Sequence, residues 1–260
     1  MKQSNITEFL QELYPEDLAY PSDFGKIGLQ FGSCNKEIKK ILIALDATSS
    51  VVEEAINNKC DLVITHHPAV YYPILSLDYD KKYDRKVAKM ISSGINFYSM
   101  HTNFDTAAGG MNDILANKIG LFNIKTENEI IKQGSLMRIG TVEPIRLKDF
   151  VKSVINSLGE DGAKFVGNPD KIISKVGIVG GAGGSELAKA IELDCDCYIT
   201  GEIHHHQALE AVENEIAVIE VSHFVEAIFK NTLKRVLSIQ FPDVEIILAK
   251  EDNPFNIISK

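Results

Sequence analysis

The sequence lacks the features that mark membrane-spanning, secreted and nucleic-acid-binding proteins. No apolar run is long enough to cross a bilayer, and residues 1–5 lead into an amphipathic stretch and not into an apolar signal region. Positive charge is in deficit, because the formal net charge is -9, whereas a non-specific nucleic-acid binder needs a basic surface that displaces counterions. We therefore expect a cytoplasmic protein whose ligand is neither a membrane nor a nucleic acid.

Cysteine is scarce, and the four cysteines contain no CxxC pair. Cys195 and Cys197 lie two residues apart, so in a strand they would face the same side, in poor geometry for a disulfide with each other. We interpret the cysteines as reduced and mostly buried, as in a cytoplasmic protein. Neither a nucleophile elbow nor an activated cysteine is recognisable, which disfavours Ser-His-Asp and Cys-His schemes.

A dinucleotide-binding fingerprint is also missing. The glycine run at residues 180–184 follows a predicted strand and opens a predicted helix, but it does not fit GxGxxG. Such a run can hold an anion with the backbone N–H groups at the start of a helix. It can equally be a tight turn that lets helix and sheet pack closely, and both interpretations stay open.

Histidine, in contrast, is concentrated in a few short groups, which chance or packing alone would not produce. The groups are His66 with His67, then His101, and then His204, His205 and His206 with His223 shortly after. Two groups are followed by a carboxylate, with Asp105 four residues after His101 and Glu226 three residues after His223. Histidine nitrogen with carboxylate oxygen is the ligand set of a catalytic divalent metal site. The sequence therefore indicates a metal centre.

Apolar runs and helical stretches alternate along the chain, which predicts an α/β protein with mostly parallel sheets. Strands are predicted at residues 41–45, 62–65, 95–100, 135–142, 176–179, 198–200, 217–221 and 244–248. Helices are predicted from a cap at Asn5 to about Leu13 and at residues 49–58, 84–93 and 147–158. A further helix begins at Ser185, and another follows His223 and continues to about Leu237. The polar segment 120–133 is the predicted junction between a first domain, residues 1–125, and a second, residues 126–260, whose last helix and strand are able to pack back on the first.

Two histidine groups come directly after neighbouring predicted strands. In open parallel sheets, ligands bind beyond the carboxyl ends of the strands, so His66 and His67 are expected to meet His101 there. Because consecutive side chains of an extended segment point in different directions, His66 and His67 are expected to serve two neighbouring ions, with Asp105 as the bridging carboxylate. The alternative is a polar strand end that carries solvated histidines.

The remaining candidates start two predicted helices. His223 and Glu226 lie three residues apart, hence on one helical face and within reach of a common ion; their alternative is a surface capping interaction. The histidines at residues 204–206 could bind metal, orient a substrate, donate protons or simply begin a helix. Their spacing is not HExxH or another familiar ligand motif, so these alternatives stay open.

Five segments together resemble the Nif-three-like family, also called GTP cyclohydrolase 1 type 2 homologues. They are DLVITHHP at 61–68, MHTNFD at 100–105, GGMND at 109–113, ITGEIHHH at 199–206 and SHFVE at 222–226. The resemblance covers nearly the whole chain and implies a two-domain Nif-three-like α/β fold, a dinuclear metal site in the interdomain cleft and a toroidal homohexamer. It implies two divalent ions per subunit, Zn, Mn or Fe, with these ligands: His66, His67, His101, Asp105, His223 and Glu226.

The chain departs from the family pattern at three places. The family often carries Trp-Asp-Asn-x-Gly-Leu near the N-terminus, where residues 24–29 here read FGKIGL. Ser222 replaces a usual glycine, and the spacing from His223 to Glu226 is three where the family more often has four. No ligand type is missing, so the metal prediction stands, while the departures bear on substrate preference.

The resemblance implies a metal-dependent hydrolase that opens the purine ring of GTP by means of a metal-activated water. Glu202 and His206 are the predicted catalytic residues for proton transfer, with His206 preferred and His205 as a further candidate; the glycine run could hold the triphosphate. Ligand identity does not choose a substrate, so hydrolysis of a different phosphoester or amide is an alternative. A ring-shaped scaffold or interaction protein that uses the metal only for stability is another.

Overall fold

The computed structural model of the chain describes residues 1–126 and 135–258. Residues 127–133 of the predicted domain junction lie outside this description. The strands are β1 (Gly28–Phe31), β2 (Lys40–Ala44), β3 (Leu62–Thr65), β4 (Asn96–Ser99), β5 (Phe122–Thr126), β6 (Arg138–Arg146), β7 (Lys164–Val166), β8 (Ile172–Ile178), β9 (Cys197–Thr200), β10 (Ala217–Glu220) and β11 (Glu245–Leu248). The helices are α1 (Gln3–Leu13), α2 (Ser49–Asn57), α3 (Lys82–Ser92), α4 (Thr102–Thr106), α5 (Met111–Lys118), α6 (Leu147–Leu158), α7 (Leu187–Glu192), α8 (His205–Glu213) and α9 (Ile228–Gln240).

Contacts between Cα atoms divide the chain into two compact units. The first comprises Met1–Ala107 and Ala227–Asp252, and the second comprises Ala108–Glu226 and Asn253–Lys260. The chain thus returns to the first unit with α9 and β11. The predicted division into two domains between residues 125 and 126 stays a prediction. Among the helices of the described ranges, none is long and apolar enough to cross a membrane.

The first unit contains a five-stranded sheet in the order β1-β4-β3-β2-β11. Its strands β2, β3, β4 and β11 run parallel, and only β1 is antiparallel. The three inner strands are almost wholly buried, which explains the apolar runs of β2 and β3. Helices α2 and α3 pack Val51, Val52 and Met90 on one face of this sheet, and α9 contacts β2 and β11.

The second unit contains a six-stranded mixed sheet in the order β5-β6-β8-β9-β10-β7. The helical crossovers α7 and α8 make β8, β9 and β10 parallel, whereas β5, β6 and β7 pair antiparallel with their neighbours. The α/β class is confirmed. The prediction of mostly parallel sheets is correct for the first sheet and wrong for the second, because three strands that lie outside the helical crossovers join it antiparallel.

Candidate metal centre

Three predicted ligand histidines converge in the first unit. His66 and His67 follow β3 and His101 follows β4; these strands are neighbours, with Thr65 paired to Ser99. One ring nitrogen of each histidine lies within 4.8 Å of the other two. His66 is fully buried, whereas His67 and His101 are partly exposed. The carboxyl edge of the parallel strands therefore carries a group of side chains that could hold a metal ion.

Each predicted ligand histidine has its Nδ1 atom hydrogen-bonded to an oxygen. An oxygen acceptor requires Nδ1 to carry the proton, so in the neutral ring the lone pair lies on Nε2, the nitrogen that can bind a cation. The four contacts are His66 Nδ1 to the Met100 carbonyl at 2.8 Å, His67 Nδ1 to Asp46 Oδ1 at 2.8 Å, His101 Nδ1 to Asp23 Oδ2 at 2.6 Å, and His223 Nδ1 to Glu202 Oε1 at 2.6 Å. All four rings are thus held in the tautomer of an Nε2 metal ligand.

Asp23 is a buried carboxylate that the sequence reasoning missed. Besides His101 Nδ1, it accepts hydrogen bonds from the Thr102 hydroxyl at 2.6 Å and from the Thr102 backbone N–H at 3.3 Å. Burial by itself raises the pKa of Asp23, but the hydrogen bonds from His101 and Thr102 hold that pKa below its usual value. Asp23 lies in a short helical turn before β1, where no periodic pattern could have pointed to it.

Asp46 was also missed, although a usable signal existed. It follows β2 by two residues, so it lies at the same carboxyl edge as the histidines. The rule that ligands bind beyond the carboxyl ends of parallel strands applies to this strand as well. Applied to every predicted strand, and not only to those followed by histidine, the rule would have singled out Asp46.

Asp105 faces the other nitrogen of His66. Its Oδ1 atom lies 3.4 Å from His66 Nε2, and the carboxylate is 7% exposed. The rings of Phe104 and Phe229 flank His66, with centroids 6.2 Å and 5.4 Å from that of the imidazole. A carboxylate oxygen beside an imidazole nitrogen is a donor pair that suits a divalent cation, and Asp105 and His66 would be among the residues that hold it.

The second unit carries the two ligands predicted after β10. His223 and Glu226 lie in a short 3-10 helix, with His223 Nε2 3.1 Å from Glu226 Oε2. Glu226 is 3% exposed. The two side chains therefore lie on the same side of this helix, as their spacing of three residues predicted. The other ring nitrogen of His223, Nδ1, donates a hydrogen bond to Glu202.

The glycine run passes directly over Glu226. A Cβ atom added to Gly181 would lie 2.5 Å from Glu226 Oε1, and Gly181 has a φ of +58°. The backbone N–H groups of Gly180 and Gly183 already donate to Asn112 Oδ1 at 2.8 Å and to Thr200 Oγ1 at 3.0 Å. These contacts favour close packing over an anion cradle as the reason for the glycines.

The triple histidine stands at the exposed start of α8. All three side chains are exposed, and the rings of His204 and His206 stack with centroids 5.6 Å apart. The His204 backbone N–H donates to Gln207 Oε1 at 2.7 Å, which caps the helix. Catalysis by Glu202 and His206 stays a prediction, and the Glu202 contact to His223 gives that carboxylate a second possible role in orientation.

These features define an α/β protein that carries histidine and carboxylate groups suited to a divalent metal. The family model described as Duf34/NIF3 (NGG1p interacting factor 3) matches residues 1–254. The chain belongs to this family. A GTP cyclohydrolase 1 type 2 homolog of Campylobacter jejuni is 32% identical, over 98% of this chain and 99% of the relative. The homolog of Clostridium perfringens is 29% identical over 99% of this chain and its own whole length.

Solved structures show the same fold. A Bacillus cereus protein related to NIF3 superposes with a TM-score of 0.92 at 25% identity and covers 99% of both chains. A hypothetical protein of Staphylococcus aureus gives a TM-score of 0.89 at 28% identity, again over 99% of both chains. Reduced HcgD from Methanocaldococcus jannaschii is 30% identical, with a TM-score of 0.82 over 98% of both chains.

Proposed function

We propose that this chain is a divalent-metal-dependent hydrolase with a dinuclear centre in a cleft between two domains. The proposed ligands are His66, His67, His101, Asp105, His223 and Glu226. The observation that carries the proposal is the hydrogen bonding of the four histidines, each of which donates from Nδ1 to an oxygen, so that the lone pair of the neutral ring lies on Nε2. Histidines that bind a metal almost always donate their other ring N–H to a carboxylate or a carbonyl oxygen, which is the arrangement of these four.

The side chains fit a divalent cation in both charge and chemistry. Asp105 and Glu226 are buried carboxylates, each beside a histidine Nε2, and carboxylate oxygen with imidazole nitrogen is a donor set for a divalent cation. The mixed nitrogen and oxygen set accepts Zn, Mn or Fe. When bound, such an ion supplies Lewis acidity, which polarises a substrate oxygen and acidifies water.

We propose GTP as the substrate and opening of its purine ring as the reaction. Support comes from the relatives named GTP cyclohydrolase 1 type 2 homolog, which match nearly the whole chain. Within this proposal, Glu202 accepts a hydrogen bond from His223 Nδ1 and holds that ring in place. His206, exposed at the start of α8, is left as the group that moves a proton to or from the substrate.

The test combines metal analysis with an activity assay. We expect two ions per chain in the purified protein, and formation of a fluorescent pterin when GTP is added with Mn or Zn. A protein that holds metal but yields no pterin under several metals would contradict the GTP reaction.

A panel of phosphoesters and amides then tests whether the chain is a hydrolase of a different substrate. Loss of metal in His67→Ala and Asp105→Ala without any change in cellular phenotype would instead favour a scaffold.

We further propose that the protein assembles as a toroidal homohexamer in the cytoplasm. All four cysteines are free, which fits a reducing compartment. Light scattering is expected to give about six times the chain mass of 28.8 kDa. A strict monomer would contradict the proposed assembly without affecting the metal analysis.

A further inference from the structure

A lysine and a tyrosine form an ordered pair beside the histidines of the first unit. The Nζ atom of Lys26 lies 3.6 Å from the centroid of the Tyr71 ring and 5.8 Å from that of Tyr72. Lys26 and Tyr71 are partly buried, and Tyr72 is 75% exposed. A cation held over an aromatic face keeps its charge and its N–H donors while its position is fixed.

The Lys26 ammonium is not neutralised by an acidic side chain. Across residues 1–126 and 135–258, no carboxylate forms an ion pair with this ammonium group. Its cation-π contacts are with the rings of Tyr71 and Tyr72. Several other lysines, such as Lys40 and Lys89, are paired with glutamates. In a chain with a formal net charge of -9, a partly buried lysine without an acidic partner is a specific place for an anion.

The backbone on both sides of the pair is held by one side chain. Gln30 Nε2 donates to the carbonyls of Lys26 and Val70, each at 2.9 Å. Gln30 Oε1 accepts from the Ala69 backbone N–H at 2.7 Å and from the Ser99 hydroxyl at 3.1 Å. The loop that carries Lys26 and the loop that carries Tyr71 are therefore tied together, so the pair is preorganised and not an accident of two mobile side chains.

Both halves of the pair are also linked to the metal-binding histidines. The Lys26 backbone N–H donates to the Asp23 carbonyl at 2.8 Å, and the Asp23 carboxylate holds His101. The Tyr71 ring meets the His101 ring edge to face, with centroids 6.5 Å apart.

Gln30 is also linked to His67, through the hydroxyl groups of Ser99 and Thr65. The Ser99 hydroxyl that donates to Gln30 lies 2.9 Å from the Thr65 hydroxyl, which donates to the His67 carbonyl at 2.7 Å. A shift of Lys26 or Tyr71 would therefore also shift His101 and His67. Supporting contacts of this kind are expected around a substrate-binding group that lies next to a reactive centre.

We propose that Lys26, held over the Tyr71 ring, binds an anionic group of the substrate, a phosphate or a carboxylate, beside the histidine site. The inference rests on the proposed function and adds to it the residue that recognises charge. Lysine suits this task because its ammonium presents three donors to an oxyanion.

The experiment measures anion binding to the metal-loaded full chain by calorimetry. Pyrophosphate and malonate are the probes, one for each kind of anionic group. Lys26→Met removes the charge and keeps the length of the side chain, and Lys26→Arg keeps the charge and the contact with an aromatic face. Lys39→Met is the matched control, because this exposed lysine precedes β2 at the opposite end of the sheet.

We expect Lys26→Met to weaken one probe by about tenfold or more, the size of a lost hydrogen bond to a charged group, while Lys26→Arg and Lys39→Met bind as the wild type does. The probe that loses affinity identifies the anionic group. Unchanged binding of both probes, an equal loss in Lys39→Met, or a wild type that binds neither probe would overturn the proposal.

Metal content is measured in the same samples, so that the two proposals fail separately. We expect equal metal content in all variants. A wild type without metal contradicts the proposed function, whereas the comparison of anion affinities remains readable on that protein. A loss of metal in Lys26→Met would show that Lys26 supports the histidines and not the substrate, and would also overturn the inference.

Discussion

A carboxylate beside a histidine can share a metal ion with the histidine or hold the imidazole ring in place. Which ring nitrogen the carboxylate faces distinguishes these two roles. Asp105 and Glu226 lie next to Nε2 of His66 and His223. Three other carboxylates accept from Nδ1, and these are Asp23, Asp46 and Glu202. The first group can share a cation with the ring, and the second group fixes the tautomer.

The Asp23→Asn variant is expected to bind metal 10–100-fold more weakly, roughly the cost of losing an outer carboxylate. The amide cannot carry the negative charge that steadies the His101 ring. Competition with a chromophoric chelator measures the affinity. Asp243→Asn removes an exposed carboxylate of the same unit and serves as the control. An Asp23→Asn affinity equal to that of the control would contradict the positioning role.

The cysteines should differ sharply in reactivity. Cys34 is exposed and the other three are buried. Burial raises the pKa of Cys60 and of Cys195 to about 11, and that of Cys197 is raised as well. Because only the thiolate attacks a disulfide reagent, we expect one fast-reacting thiol per folded chain and four after unfolding. Fast reaction of a second thiol at neutral pH would be incompatible with this burial.

At the scale of elements, the glycine run shows how a loop can serve a side chain instead of a ligand. Gly180 and Gly181 pass so close to Glu226 that a Cβ on either would press on its carboxylate or on Leu115. Gly183 leaves no room for a Cβ beside Thr200 and Tyr198. The run is thus required by the packing around a predicted metal ligand, and a triphosphate cradle is not needed to explain it.

We expect Gly181→Ala to lower metal affinity by displacing Glu226. The left-handed backbone alone costs about 1–2 kcal/mol when alanine replaces glycine, so stability falls as well. Gly159→Ala is the matched control, since Gly159 has a φ of +77° at the end of α6 but no atom within 4 Å of an added Cβ. If both variants lose stability and neither loses metal affinity, the close approach to Glu226 does not matter for binding.

Within residues 1–126 and 135–258, the strands that the sequence did not reveal are all edge strands. The buried strand β3 was predicted at its observed bounds, because a strand covered on both faces reads as a continuous apolar run. The missed strands are β1, β5 and β7, each at an edge of its sheet. Edge strands are short and partly exposed, and β5 and β7 have no buried residue, so no apolar run marks them.

For the whole molecule, metal binding and stability should be linked. An ion that binds only the folded chain stabilises it by about 2.7 kcal/mol when its free concentration is roughly 100 times the dissociation constant. Since about 1 kcal/mol shifts the Tm of domains of this size by about 2–4 °C, a chelator is expected to lower Tm by about 5–10 °C. Scanning calorimetry with and without chelator measures this shift.

The control for this prediction is His101→Ala, whose Tm should respond less to the chelator because one ligand is gone. A wild-type Tm that does not move when measured metal is removed would contradict the linkage. The sign is fixed by preferential binding to the folded state, because the ligands lie far apart along the sequence and meet only after folding.

The sequence by itself determined the α/β class, the buried strands and the residue types of the candidate metal site. These follow from local periodicity and from motifs that each lie within a few consecutive residues. Only the tertiary structure decided that Asp23 and Asp46 hold His101 and His67, that Gly181 lies against Glu226 and that Gln30 joins Lys26 to Tyr71. Such contacts join loops that are distant in sequence, and their partners depend on strand order and register, which local patterns do not encode.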